Sequence, residues 1–196
     1  MRALVVHAHP DPDSFSAALV SAVERGLRNG GHESRVVDLY GEDFATAMST
    51  AERLAYHEAE PILDEQVRAY AEHVRWADAL IFVYPTWWAG MPAVMKGWLE
   101  RVLVPGVAFR LDEHGKVRPG MRHVRRLVGV STYGSRRLYV ALMNDGGRRT
   151  INRTLRLSCG WRTRTTWLGL YDMDHSTPDA RRAFLVKVED AVGRLR

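Results

Sequence analysis

Apolar residues along the chain fall into short β-branched runs that alternate with segments of three-and-four spacing. Arg2-Ala-Leu-Val-Val-His-Ala opens with a run suited to a buried strand and meets the turn formers Pro10-Asp-Pro-Asp13. From Ser14, Phe15, Ala18, Leu19, Ala22, Val23 and Leu27 recur at helical spacing until Asn29-Gly30-Gly31 stops them. Ser34 to Leu39 is a second strand. A polar connection from Gly41 to Pro61 follows, with a short helix expected around Ala51 to Glu58. Ile62 to Trp76 predicts a helix with Leu63, Val67, Tyr70 and Val74 on its apolar side. Asp78-Ala-Leu-Ile-Phe-Val-Tyr is the clearest strand and ends at Pro85.

Beyond it, Val94, Met95, Trp98, Leu99, Val102 and Leu103 form one helix face, with Pro92 tolerable in the first turn. Residues 107 to 123 carry the turn Asp112-Glu-His-Gly115 and predict an irregular hairpin. Arg126 to Thr132 is a strand leading into Tyr133-Gly134, a basic helix is expected from about Arg148 to Ser158, and Thr163 to Leu170 reads as the last strand. Ser176-Thr177-Pro178-Asp179 starts a closing helix that runs to about Leu195. Five buried-type strands joined by helical segments predict a doubly wound α/β fold, because parallel neighbours need crossover connections.

A length of 196 residues suits one domain, 1–196, and 46% hydrophobic with 26% charged residues is ordinary for a globular chain. No apolar stretch approaches the roughly 20 residues of a membrane span and no cleavage signal follows the first strand, which predicts a cytoplasmic protein. Cys159 is the only cysteine, so it is expected to be a buried thiol, with no Cys and His set for a metal. The net charge of +5 is carried by arginine, Lys96, Lys116 and Lys187 being the only lysines. Between Gly146 and Tyr171 stand Arg148, Arg149, Arg153, Arg156, Arg162 and Arg164 with no acidic residue. That run could draw phosphates or anionic surfaces, or be a solvated face or a set of partners for acids elsewhere. No nucleic-acid-binding signature accompanies it.

Open parallel sheets bind ligands at the carboxyl ends of their strands, which directs attention to three loops. His9-Pro-Asp-Pro-Asp-Ser-Phe-Ser16 opens a helix whose first amides suit an anion, with Ser14 and Ser16 able to add hydroxyl bonds; equally, Asp13 or Ser14 could only cap that helix. Tyr84-Pro-Thr-Trp-Trp-Ala-Gly90 offers aromatic surface for a flat ring, unless both tryptophans pack beneath loops. Ser131-Thr-Tyr-Gly-Ser135 is a small-residue loop of the kind that lets a backbone approach a ligand, or an ordinary strand-to-helix turn. Together they describe a pocket for a phosphorylated planar cofactor. GxGxxG after the first strand and the GxxxxGK[ST] loop are both missing, which disfavours a dehydrogenase of that type and a P-loop NTPase.

Ala8-His9 with Ser14-Phe15-Ser16, the stretch Phe82-Val-Tyr-Pro-Thr-Trp-Trp-Ala-Gly-Met-Pro-Ala-Val-Met-Lys-Gly-Trp98, and His175-Ser-Thr-Pro-Asp-Ala-Arg181 together resemble the NAD(P)H:quinone oxidoreductases, flavoproteins of flavodoxin-like fold. The resemblance implies sheet order 2-1-3-4-5, a homodimer, and FMN or FAD bound at the three loops. It also implies hydride transfer from NAD(P)H through the flavin to a quinone-like acceptor in a ping-pong scheme. His9, Ser14, Phe15 and Ser16 would meet the phosphate side of the flavin. Pro85, Thr86, Trp87, Trp88 and Ala89 would run beside its ring, and Ser131, Thr132, Tyr133 and Gly134 would line the other side. Tyr139 and Tyr133 are the candidate proton or hydrogen-bond donors. The chain departs from the family pattern at Trp87, where many relatives have Gln, at Tyr133 in place of a glycine, and at Asp145, where the mammalian enzymes have a His. A rival of another class is a flavin-binding electron carrier or a regulatory subunit of a membrane transporter.

Overall fold

A computed structural model describes residues 1–196. In chain order the elements are β1 (Arg2–His7), α1 (Phe15–Asn29), β2 (Glu33–Asp38), α2 (Thr50–Ala55), α3 (Glu65–Trp76), β3 (Ala79–Pro85), α4 (Ala93–Val102), β4 (Phe109–Leu111) and β5 (Val117–Pro119). There follow β6 (Arg126–Thr132), α5 (Arg137–Leu142), α6 (Gly146–Arg149), a π-helical turn (Thr150–Leu155), α7 (Arg156–Cys159), β7 (Arg164–Leu170), a 3₁₀ turn (Met173–His175) and α8 (Pro178–Gly193). Five strands form one parallel sheet in the order β2-β1-β3-β6-β7. Counting only these five, that is the expected 2-1-3-4-5.

Side-chain alternation on the strands builds two cores. Ala3 and Val5 of β1 with Ala79, Ile81 and Val83 of β3 face α1 and α8, while Leu4, Val6, Leu80 and Phe82 face α3, α4 and the helix after α5. Every residue of central β3 is buried, whereas the edge strands β2 and β7 keep mixed exposure. Close helix and sheet contacts depend on glycine: a Cβ at Gly26 would lie 2.3 Å from the Glu189 carbonyl oxygen, and one at Gly129 would lie 2.0 Å from the Trp167 ring.

Several expected boundaries shift for local reasons. Asp64 accepts the Val67 amide and caps α3, so the helix starts at Glu65 and Leu63 lies before it, exposed. The short helix begins at Thr50 because Ser49 and Glu52 form a capping box. α5 was absent from the expected elements: of its six residues only Val140 is buried, so no apolar face marks it. The basic helix starts at Gly146, earlier than expected, and runs through the π turn to Cys159. The expected hairpin is the antiparallel pair β4-β5, whose turn is held by the Asp112 carboxylate accepting the His114 and Lys116 amides. No helix is long and apolar enough to cross a membrane.

Candidate functional site

β2 and β3 lie on opposite sides of β1, so the topological switch falls between β1 and β3, and the loops leaving β1, β3 and β6 surround the carboxyl ends there. Each loop presents backbone N–H groups with no partner in the chain. At α1 these belong to Phe15 and Ser16, since Ser14 Oγ accepts the Ala17 amide and the Ser14 carbonyl accepts the Ala18 amide. Ser14 is therefore the cap, and its hydroxyl, which accepts there, keeps its O–H to donate. After β3 the free amides belong to Trp88 and Ala89, and after β6 to Gly134 and Ser135. Free amides at a helix start and at two tight loops suit a ligand rich in acceptor atoms.

His7 ends β1 buried, with Nε2 3.2 Å from Ser16 Oγ and Nδ1 3.5 Å from Asp38 Oδ1. With its proton on Nδ1 toward Asp38, the ring accepts the Ser16 hydroxyl at Nε2. Burial lowers the His7 pKa, against the pull of Asp38, and favours that neutral form. Ser16 thus turns its hydroxyl inward and leaves its amide for a ligand. The Asp11 amide donates to His9 Nδ1 at 3.0 Å, which leaves Nε2 of His9 as the donor.

His9 and Trp87 face each other across the switch, ring centroids 6.1 Å apart. Trp87 and Gly90 exchange both backbone bonds at 3.0 Å, closing a two-residue turn in which Trp88 and Ala89 take φ of 49° and 57°. Such a turn ordinarily uses Asn or Gly. A tryptophan held left-handed costs about 1–2 kcal/mol, and here its ring is fully exposed rather than packed below a loop. Pro85 is buried at the end of β3, and Thr86 Oγ1 meets Ser131 Oγ at 2.9 Å while its amide donates to the Thr132 carbonyl, tying β3 to β6.

On the β6 side the Tyr133 hydroxyl donates to Asp145 Oδ1 and Oδ2 at 3.1 and 3.2 Å. Its ring stacks on Tyr171, 4.5 Å between centroids and 12° from parallel. Burial first, then the Asp145 charge, pushes the Tyr133 pKa up. Tyr84, also buried, leaves its hydroxyl without a partner, and the same two influences raise its pKa. Gly134 sits where a Cβ would lie 2.9 Å from an Asp174 carboxylate oxygen. Tyr139 stands exposed on α5, apart from the Tyr133 pair.

The structure thus brings His9, Phe15, Ser16, Pro85, Thr86, Trp87, Trp88, Ala89, Ser131, Thr132, Tyr133 and Gly134 to three neighbouring strand ends, with Ser14 as the cap. It adds His7, Asp38, Asp145 and Tyr171, which the sequence reading did not place in the site. A histidine ending an apolar run was the available signal for His7; Tyr171 carried none beyond following the last strand. Cys159 is buried, and burial pushes its thiol up to about 12. A cavity of about 880 Å³ lies elsewhere, at the starts of β6 and β7, lined by Arg125, Arg156 and Trp161 among others.

A doubly wound sheet with an aromatic turn and unpaired amides at its switch point has the ligand-binding layout of open α/β sheets. The chain belongs to the family of flavodoxin-like fold, whose model matches residues 1–161. Among curated proteins it is 37% identical over 142 residues to a ribosyldihydronicotinamide dehydrogenase-like protein of Penicillium crustosum, covering 63% of this chain and 51% of that protein. It is 32% identical over 202 residues to the NAD(P)H dehydrogenase [quinone] 1 of Rattus norvegicus, covering 92% of this chain and 72% of that one. The solved NAD(P)H:quinone oxidoreductase of Methanothermobacter marburgensis superposes with a TM-score of 0.82 at 26% identity, covering 98% of this chain and 96% of that one.

Proposed function

We propose that the chain is a flavin-dependent NAD(P)H:quinone oxidoreductase, with residues 1–196 acting as one domain. One observation carries the reading: the three loops at the β1/β3 switch offer unpaired amides beside the exposed Trp88 ring. That donor set fits both parts of a flavin, its phosphate at the α1 amides and the acceptor edge of its ring at the loops after β3 and β6. Names of the rat and Methanothermobacter relatives support the activity.

When bound, the flavin supplies two-electron acceptance and donation. The Phe15 and Ser16 amides and the His9 ring bind its phosphate, which serves FMN and FAD alike. Trp87 and Trp88 hold the ring in place and exclude water on the β3 side. The unpaired Trp88, Ala89 and Gly134 amides would supply donors to negative charge on a reduced ring, an electrostatic role needing no side-chain acid. Tyr133 has its proton engaged by Asp145, so the proton for an acceptor would come from the exposed, unpartnered Tyr139 hydroxyl. Leu138, Tyr139 and Leu142, exposed on α5, support pairing of two copies of the chain around the site.

Reconstitution with FMN and with FAD followed by steady-state kinetics tests this reading. Parallel double-reciprocal lines for donor and quinone are expected. A flavin-loaded protein that no nicotinamide donor reduces would leave the electron-carrier reading in its place.

A further inference from the structure

All six arginines of the run are exposed, and none of them pairs with a distant acid. Arg137, Arg148, Arg149 and Arg153 border one cavity of about 380 Å³, and none of them makes an ion pair. The one acid on its wall, Asp145, is buried and engaged by the Tyr133 hydroxyl. Cations gathered around a concavity repel one another, and a multivalent anion relieves that repulsion. Guanidinium groups match phosphate oxygens two at a time.

The cavity adjoins the candidate site. Tyr171 lines it and stacks on Tyr133. The Gly146 amide donates to the Ala89 carbonyl at 3.0 Å, so the helix bearing Arg148 and Arg149 starts on the tryptophan turn. The α1 amides that suit the flavin phosphate belong to the loop after β1, on the other side of β3 from β6 and β7. With the flavin phosphate read at the α1 amides, the arginine cavity is left for a phosphate of another molecule.

We propose that Arg137, Arg148, Arg149 and Arg153 recognise the 2′-phosphate of NADPH and make the phosphorylated donor the preferred one. The proposal rests on the reading that the strand-end crevice holds a flavin reduced by a nicotinamide donor. A donor lacking the 2′-phosphate has no group for this cavity, so discrimination falls on donor binding.

Calorimetry on flavin-loaded protein tests it, with 2′,5′-ADP and 5′-AMP as probes. Charge-assisted hydrogen bonds lead us to expect 2′,5′-ADP to bind about tenfold or more tightly than 5′-AMP, an advantage that shrinks with salt. Arg148→Gln/Arg149→Gln is expected to abolish that advantage and raise the KM for NADPH, with the KM for NADH unchanged. Arg149→Lys, which keeps the charge, should retain part of it. Equal binding of the two probes, or a double variant that binds 2′,5′-ADP like the parent chain, overturns the proposal. So does binding of 2′,5′-ADP only to flavin-free protein, which would assign the arginines to the flavin's own phosphate. If NADH reduces the flavin while the probes bind alike, this proposal alone fails; if neither donor reduces it, the oxidoreductase reading fails whatever the calorimetry shows.

Discussion

The Tyr133 hydroxyl donates to both carboxylate oxygens of Asp145, and the pair is buried where β6 ends against the first turn of α6. A buried hydrogen bond to a charged acceptor contributes about 1.5–3 kcal/mol. A cycle of Tyr133→Phe, Asp145→Asn and the double variant, measured by urea unfolding, should return a coupling in that range. Asn keeps the left-handed backbone of Asp145, φ 40°, accessible, so the cycle reads the bond rather than backbone strain. A coupling near zero would mean that the two groups only share a location.

Trp88 sets stability against binding. Replacing it with Asn, which tolerates positive φ, should stabilise the flavin-free chain by about 0.5–1 kcal/mol. The same change removes an aromatic contact worth about 0.5–1.5 kcal/mol, and flavin affinity should fall roughly three- to tenfold. Thermal melts with and without flavin check both signs in one experiment.

Arg101 is a structural counterpart away from the site. Almost wholly buried, it donates to Glu52 Oε1 from Nε and Nη2 at 2.9 and 2.7 Å, to Asp64 Oδ2 at 3.2 Å and to the Ala45 carbonyl, with Phe44 beneath it. Arg101→Ala strands Glu52 in a buried position and should cost about 3–5 kcal/mol in urea unfolding.

The same cluster gives a pH dependence. Burial opposes ionisation of Glu52, but the Ser49 amide and Arg101 outweigh it and hold the carboxyl below its ordinary value near 4.5; the Val67 amide and Arg101 likewise depress Asp64. A folded pKa below the unfolded one means that the stabilisation is complete above the unfolded value and is lost as pH falls through the folded one. Tm should therefore hold from about pH 7 to 5 and drop below about pH 4, with a shallower drop in Arg101→Ala. Equal slopes in the two proteins would remove this cluster from the acid response.

Most of the fold was legible because each sheet strand carries an apolar run and four of the major helices an apolar stripe ended by a cap or a glycine. α5 escaped because its outward Leu138, Tyr139 and Leu142 serve no core. Leu63 misled because it precedes the Asp64 cap, and one side-chain bond there outweighs hydrophobic spacing. In the site, loop positions were readable, while hydrogen-bond direction was not. Ser16 was expected to offer its hydroxyl outward, yet a histidine nine residues earlier accepts it. Asp145 stood out as a departure from relatives, but its bond to Tyr133 depends on where α6 begins, which no local pattern marks.

Anaerobic titration of flavin-loaded protein with NADPH, followed by visible absorbance, tests the central claim most directly. Stoichiometric bleaching, and recovery of the colour on adding one equivalent of a quinone, is the expected result. Protein that stays colourless after incubation with both FMN and FAD would contradict it.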